Sequence, residues 1–231
     1  MDRTEFETEI RVCSRNECGL RYPLIKSYHG NERCPRCGGT TRRVHRFAQY
    51  DEEISLLGRP VSLPIEALLD NIRSAWNVGS IFRTADGLGL RQLYLCGISP
   101  TPENPKVAKT SLGAERSVSW SHHLNGVDAA VHQIDQGKVL WGLECTPGAL
   151  SLDDLDEVIT DRPIVLVVGN ENAGVDPGIL DLCERIVYVP MLGNKHSFNV
   201  AVVFGIAVYS IITSVSKLSP RDLAKGYPGS G

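Results

Sequence analysis

From residue 63 onward, apolar runs alternate with stretches that repeat their apolar positions every three to four residues. The runs at 63–69, 92–97, 139–143, 164–168 and 186–189 predict strands. The stretches between and after them, at 78–87, 127–136, 178–183 and 198–213, predict helices. Ile164, Val165, Leu166, Val167 and Val168 are apolar at every position, which suits a parallel strand covered on both faces. Alternation of this kind predicts an α/β fold with a mainly parallel sheet and helices on both faces. Ligands of such sheets bind beyond the carboxyl ends of the strands, so the loops after residues 69, 168 and 189 are where chemistry is expected.

The first 47 residues lack this alternation and differ in charge. They carry ten Lys/Arg against six Asp/Glu, a net +4, whereas residues 48–231 carry fourteen against twenty-one, a net −7. The whole chain is therefore −3, which excludes a simple polycation. A basic head on an acidic body suggests a polyanion-reading module beside a domain with other work. The boundaries predicted are a head at 1–47, a polar linker at 48–62 that ends in Gly58, Arg59 and Pro60, a larger body at 63–217, and a disordered tail at 218–231. No basic cap followed by an apolar stretch opens the chain, and the most apolar run, 200–212, is shorter than the ~20 residues of a membrane span. The expected location is cytoplasmic, without membrane contact.

Four of the seven cysteines lie in the head, as Cys13-x4-Cys18 and Cys34-x2-Cys37, and a glycine follows the second cysteine of each pair. This spacing resembles a four-cysteine zinc ribbon, whose knuckles turn backbone amides toward the sulfurs. Two disulfides or four buried thiols are the alternatives. Disulfides need an oxidising compartment that nothing else in the sequence suggests. A segment this short buries too little apolar surface to fold alone, and a structural zinc would supply the missing stability. Cys96, Cys145 and Cys183 sit in or beside apolar runs and read as small core residues.

The three loops carry the unusual residues. After the first strand comes Asn71-Ile72-Arg73-Ser74-Ala75-Trp76-Asn77-Val78-Gly79-Ser80-Ile81-Phe82-Arg83. Asn77 reads as a helix cap, and Arg83 is the charged group among apolar neighbours two turns on. After Val168 comes Gly169-Asn170-Glu171-Asn172-Ala173-Gly174, where the two glycines permit close approach to backbone and Glu171 can accept hydrogen bonds that shape the loop. After Val189 comes Pro190-Met191-Leu192-Gly193-Asn194-Lys195-His196-Ser197-Phe198-Asn199. There Ser197 reads as the cap of the last helix and Asn199 as an unexplained polar residue in its first turn. His122 and His123 read as loop residues, and His196 as a solvated loop histidine or an RNA contact. No Gly-x-Gly-x-x-Gly follows a predicted strand, so an ordinary dinucleotide site is not expected.

In order, these segments resemble the three motifs of the SpoU/TrmH branch of the SPOUT RNA methyltransferases, over about residues 65–214. The resemblance implies a C-terminal trefoil knot and S-adenosylmethionine bound within it. It implies cofactor contacts from Val168, Gly169, Asn170, Glu171, Gly174, Val189, Met191, Gly193, Ser197 and Asn199. It further implies a homodimer in which Arg83 reaches the partner's cofactor site, and methylation of a ribose 2′-hydroxyl in tRNA or rRNA. Arg83, Asn77, Ser197, Asn199 and Glu171 form the expected catalytic set. Two departures accompany it: Ser74-Ala75-Trp76 stands where many relatives have Pro or a charged residue, and Phe198 replaces the usual Leu. A non-catalytic RNA-binding protein and an enzyme methylating an RNA base are the alternatives.

Overall fold

The computed structural model describes residues 8–25, 32–47, 65–155, 162–195 and 197–215. The predicted linker at 48–62, the whole predicted tail at 218–231 and His196 lie outside the described residues. The chain divides into two compact units, 1–59 and 60–231.

The first unit is a three-stranded antiparallel sheet in the order β2-β1-β3, from β1 (Thr8–Cys13), β2 (Arg21–Ile25) and β3 (Thr41–Arg46). Sequence reasoning located its knuckles and not its strands, because Arg, Thr and His alternate with few apolar residues. The second unit contains a seven-stranded sheet in which every pair is parallel. Its strands are β4 (Ile65–Asp70), β5 (Gln92–Cys96), β6 (Ser119–His123), β7 (Val139–Leu143), β8 (Leu150–Ser151), β9 (Ile164–Val168) and β10 (Arg185–Tyr188), in the order β6-β5-β4-β9-β7-β10-β8. The helices are α1 (Ala75–Gly87), α2 (Pro105–Ser111), α3 (Gly126–Asp135), α4 (Pro177–Leu180) and α5 (Val200–Val215).

The unbroken apolar run of β9 has the anticipated cause. Ile164, Leu166 and Val168 join a core cluster with Ile81 and Phe82 of α1 and Phe204 and Ile211 of α5, while Val165 and Val167 join a second cluster with Ala129 and Ala130 of α3 and Ile179 of α4. Successive side chains of a strand point to opposite faces, so a doubly covered strand is apolar throughout. In register, Leu69 and Leu143 both lie opposite Val168, and Val187 lies opposite Leu143. The carboxyl ends of β4, β9, β7 and β10 therefore meet at one edge.

Several local expectations are corrected. α1 begins at Ala75, not at 78: Ser74 is its cap, its side chain accepting from the Asn77 backbone N–H. α5 begins at Val200, and its cap is Asn199 rather than Ser197: Asn199 Oδ1 accepts from the backbone N–H of Ala201 at 2.9 Å and of Val202 at 3.4 Å. Asn199 thus satisfies helix amides that would otherwise lack partners, which accounts for a polar residue at that point. His122 and His123 are in edge strand β6 rather than a loop, where His122 Nε2 lies 3.0 Å from the Gly97 carbonyl oxygen and His123 Nε2 2.8 Å from Ser121 Oγ. Cys96 is buried, whereas Cys145 is exposed and is no core residue.

Candidate active site

At the shared carboxyl edge, the three motif loops are tied together by side chains. Glu171 in the loop after β9 is the hub. Its carboxylate accepts from the backbone N–H of Arg73 at 2.8 Å and of Ser74 at 3.1 Å, and from Asn77 Nδ2 at 2.9 Å. It therefore sits at the amino end of α1, where unpaired amides and the helix dipole favour a negative charge. Asn77 in turn accepts at Oδ1 from Asn199 Nδ2 at 3.0 Å. A single chain of hydrogen bonds thus runs from the second loop through the first turn of α1 to the cap of α5. Both polar atoms of the Asn77 amide are used in it.

The second loop is closed on itself. Asn170 and Gly174 exchange backbone hydrogen bonds of 2.9 Å each. Asn170 Oδ1 accepts from the N–H of Asn172 and of Ala173, and its Nδ2 donates to the Asn71 carbonyl at 2.7 Å. Two carboxylates that sequence reasoning missed hold this loop from outside. Buried Asp70 at the end of β4 accepts from the Asp176 N–H at 2.9 Å, and Glu144 after β7 accepts from the Val175 N–H at 3.1 Å. Neither belongs to a recognisable motif. Asp70 gave no signal beyond ending a strand, and Glu144 follows a strand whose loop carries none of the motif residues.

Burial works to raise the Glu171 carboxyl, but the Arg73 amide, its own amide, Asn77 and the Ser74 amide outweigh it and hold it below the ordinary glutamate value. A carboxylate depressed in the folded state contributes stability above its unfolded pKa and loses it as pH falls through the folded value. Glu171→Gln is therefore expected to lower stability by about 0.5–1 kcal/mol at neutral pH, the size of an exposed carboxylate at a helix start. The difference from the unsubstituted protein is expected to vanish on acidification below pH ~4, as read from urea midpoints across a pH series.

Between the second and third loops lies a cleft of about 480 Å³. Nine of the ten residues that the resemblance assigns to the cofactor line it: Val168, Gly169, Asn170, Glu171, Gly174, Val189, Met191, Ser197 and Asn199. Gly193 does not, and a methyl group added there meets nothing within 4 Å. Leu143, Glu144, Tyr188 and Phe198 line it without having been singled out as cofactor contacts. The volume is that of a small-molecule site, with apolar walls and a few placed polar groups. Apolar wall, exposed loop backbone and two carboxylates suit an adenosine joined to a cationic sulfonium.

Arg83 is not among the lining residues. It stands exposed on the outer face of α1, without hydrogen bond or ion pair among the described residues, and its Cα is displaced ~9 Å along the helix axis from that of Asn77. α5 is similarly open on one side: Val202, Ile206 and Tyr209 are 52%, 39% and 60% exposed at helical spacing, beside Asn77, Ser80 and Thr84 of α1 in a shared groove.

In the head, Cys13, Cys18, Cys34 and Cys37 bring their sulfurs within 4.8 Å of one another. Cys13 and Cys37 are 3.5 Å apart and Cys18 and Cys34 3.7 Å. A disulfide is ~2.05 Å, whereas four sulfurs on a tetrahedral zinc with ~2.3 Å bonds stand ~3.8 Å apart. Both knuckles turn through glycines of positive φ, Gly19 at 54° and Gly38 at 68°. Cys34 is held down to about 7, burial opposing and the Cys37 and Arg36 amides prevailing. Cys13 is pushed up to about 12: the Arg15 amide draws it down, but burial and the other three sulfurs outweigh this. Four crowded sulfurs of this kind all ionise only around a cation, so the residues fit a structural zinc with no open ligand position. Metal analysis is expected to find a single zinc per chain, and Cys34→Ser to abolish it. The substitution is expected to unfold the head while the melting transition of the body persists.

The comparisons with known proteins agree with this geometry. A Staphylococcus haemolyticus protein assigned to the TrmH family of tRNA/rRNA methyltransferases is 26% identical over 167 residues, covering 72% of this chain and 66% of its own length. The tRNA (guanosine(18)-2′-O)-methyltransferase of Aquifex aeolicus is 32% identical over 142 residues, covering 61% of this chain and 64% of its own. This chain thus spans slightly under two thirds of the length of these relatives. In structure, the SpoU methyltransferase AviRb of Streptomyces viridochromogenes, solved in complex with AdoMet, superposes with a TM-score of 0.57 at 24% identity over 78% of this chain and 70% of its own. The sequence pattern of the SpoU rRNA methylase family matches residues 64–209, well over half of the chain, and the chain belongs to that family.

Proposed function

We propose that this protein is an RNA methyltransferase that moves a methyl group from S-adenosylmethionine to a ribose 2′-hydroxyl of tRNA or rRNA, as a homodimer in the cytoplasm. The observation that carries the reading is the cleft: the second and third motif loops wall one cavity, and Glu171, Asn77 and Asn199 lock them to the first. Support for the ribose comes from the Aquifex relative, whose name specifies 2′-O chemistry.

When bound, S-adenosylmethionine supplies an electrophilic methyl group on a positively charged sulfur. What the chain must add is position and a path for the proton. The cleft residues Val168, Gly169, Met191 and Asn199 would hold this donor so that the hydroxyl oxygen could take the methyl group in exchange for a neutral thioether, with an RNA phosphate oxygen or water available for the hydroxyl proton. The planar fork of Arg83 orients the hydroxyl and a phosphate and stabilises the oxygen as it gains charge. Ser197, on the cleft wall, assists in orienting the substrate. Asn77, Asn199 and Glu171 act through the loops they hold. The exposure of Arg83 on the outside of its own chain, one residue before Thr84 of the groove along the open apolar face of α5, supports its reaching the cleft of a partner across an α1/α5 interface. The trefoil threading implied by the resemblance brings the third loop back to that cleft. In this organisation 1–47 is a zinc-bearing head and 63–217 the catalytic body.

The test is incubation of the protein with S-adenosylmethionine and unmodified RNA, followed by digestion to nucleosides and mass spectrometry. A 2′-O-methylnucleoside is the expected product. A methylated base would move the reading to base chemistry, and no methylated product with either tRNA or rRNA would overturn it.

A further inference from the structure

The sheet of the head has two unlike faces. On one, the cations are already paired. Buried Arg11 donates to Glu9 at 2.5 Å and reaches Glu32 at 3.2 Å, and Arg43 lies 3.7 Å from Glu9. Cys13, in the same alternation, turns to the metal site on this side.

The other face is built from the remaining positions, and the strand register fixes its rows. Arg21 and Arg42 both lie opposite Val12, Pro23 and His45 both lie opposite Ile10, and Ile25 lies opposite Thr8. The last row is completed by Phe47, whose backbone N–H donates to the Thr8 carbonyl at 3.0 Å. A register shift in β3 between the partners of Ile10 and Arg11 keeps His45 and Arg42 on the same side despite three residues of separation. The outer residues of these rows are exposed: Arg21, Pro23, Arg42 and His45, with Ile25 and Phe47 each at 43%. The rings of His45 and Phe47 are 4.9 Å apart with planes crossed at 82°. Arg21 and Arg42 have no carboxylate partner among the described residues, and two strand spacings set them ~10 Å apart.

We infer that this outward face of β2-β1-β3 is a docking surface for unpaired RNA, with a base stacked on the His45–Phe47 pair and backbone phosphates at Arg21 and Arg42. The inference rests on the proposed RNA substrate and adds a second site of contact, on the other unit of the chain. Charge complementarity selects the partner. Two uncompensated cations at one end of an apolar and aromatic strip match a polyanion whose bases offer π faces. The rings select the form of the RNA: a duplex hides its base faces in the stack, and an unpaired strand presents them. Because the two rings are nearly perpendicular, they offer one stacking face in a given direction, so one base is held at a time. The paired cations of the opposite face, Arg43 beside Glu9 among them, have no such use.

The experiment uses the full zinc-loaded protein and two fluorescent probes, a short unpaired ribo-oligonucleotide and a blunt-ended two-strand RNA duplex. In one variant His45→Ala and Phe47→Ala are combined, in another Arg21→Gln and Arg42→Gln. Each is expected to weaken binding of the unpaired probe about tenfold or more. The arginine variant is expected to flatten the slope of log affinity against log salt by about 1.4, from two lost single-strand phosphate contacts, and the ring variant to leave that slope unchanged. Zinc content and S-adenosylmethionine binding are expected to stay as in the unsubstituted protein. A readout free of substitutions is the shift of His45 and Phe47 ring resonances on adding the unpaired probe, with Tyr22 of the opposite face unmoved. Unchanged affinity in both variants, as a protein partner for this face would give, overturns the inference, as does a blunt-ended duplex bound as tightly as the unpaired strand. If the unsubstituted protein methylates no RNA while both variants lose affinity, the proposed reaction falls and the docking surface stands. Methylation by a protein whose variants bind RNA normally has the opposite meaning.

Discussion

Arg83→Ala is expected to reduce methyl transfer by two to three orders of magnitude while leaving S-adenosylmethionine titration within a factor of two of the unsubstituted protein. The magnitude is that of removing one preorganised donor from a developing negative charge. The selectivity follows from where the residue stands. Arg83 is exposed on α1, makes no hydrogen bond or ion pair among the described residues, and lines no part of the cleft of its own chain. Its loss therefore leaves no buried group unpaired, and folding is expected to be unaffected. Arg83→Lys keeps the charge but not the planar fork, and is expected to recover only a small part of the rate. Turnover that survives Arg83→Ala would remove the residue from the chemistry altogether.

The sequence disclosed the core of this protein more fully than its edges, and the reason is physical. β9 and β7 are central strands buried on both faces, so every position had to be apolar and the runs at 164–168 and 139–143 could be read directly. β6 is an edge strand paired only with β5, and Ser119, Ser121, His122 and His123 carry none of that signal. α2 has seven residues, too few for its periodicity to show, although Asn104 capping a helix with Pro105 at its start was a legible sign. The caps were misplaced by two or three residues for a different reason. Ser74 and Asn77, like Ser197 and Asn199, are all competent cap residues, and only the path of the chain decides which side chain faces the free amides. The motif loops fixed most of the cleft lining in advance. They did not show that Asn77 and Glu171 tie two of the loops together, since that depends on residues 94 positions apart in the chain meeting at 2.9 Å.

Gly169 and Gly193 looked alike in the sequence, each a glycine in a motif loop, and the structure separates them. A methyl group on Gly169 would lie 2.2 Å from the Gly174 carbonyl carbon and 2.2 Å from the Val175 nitrogen. These are backbone atoms with no rotamer to retreat to, so the two arms of the loop must part. Parting them breaks the paired Asn170–Gly174 hydrogen bonds and pulls the Val175 N–H from Glu144. Gly169→Ala is therefore expected to weaken S-adenosylmethionine binding by at least a hundredfold and to lower stability by about 1–3 kcal/mol, the range for an overpacked site. Gly193→Ala, with nothing within 4 Å of its added carbon, is expected to change neither. Calorimetric titration of the two variants side by side checks both statements, and equal behaviour would mean that the loop does not have the closed form described. The pair also bears on the partner. Gly169→Ala chains keep Arg83 and Arg83→Ala chains keep the cleft, so neither alone is active. Random exchange of subunits gives half mixed dimers, each with one complete site if Arg83 crosses the interface, and about a quarter of full activity returns. If Arg83 serves its own chain, every site in the mixture lacks one part and no activity returns.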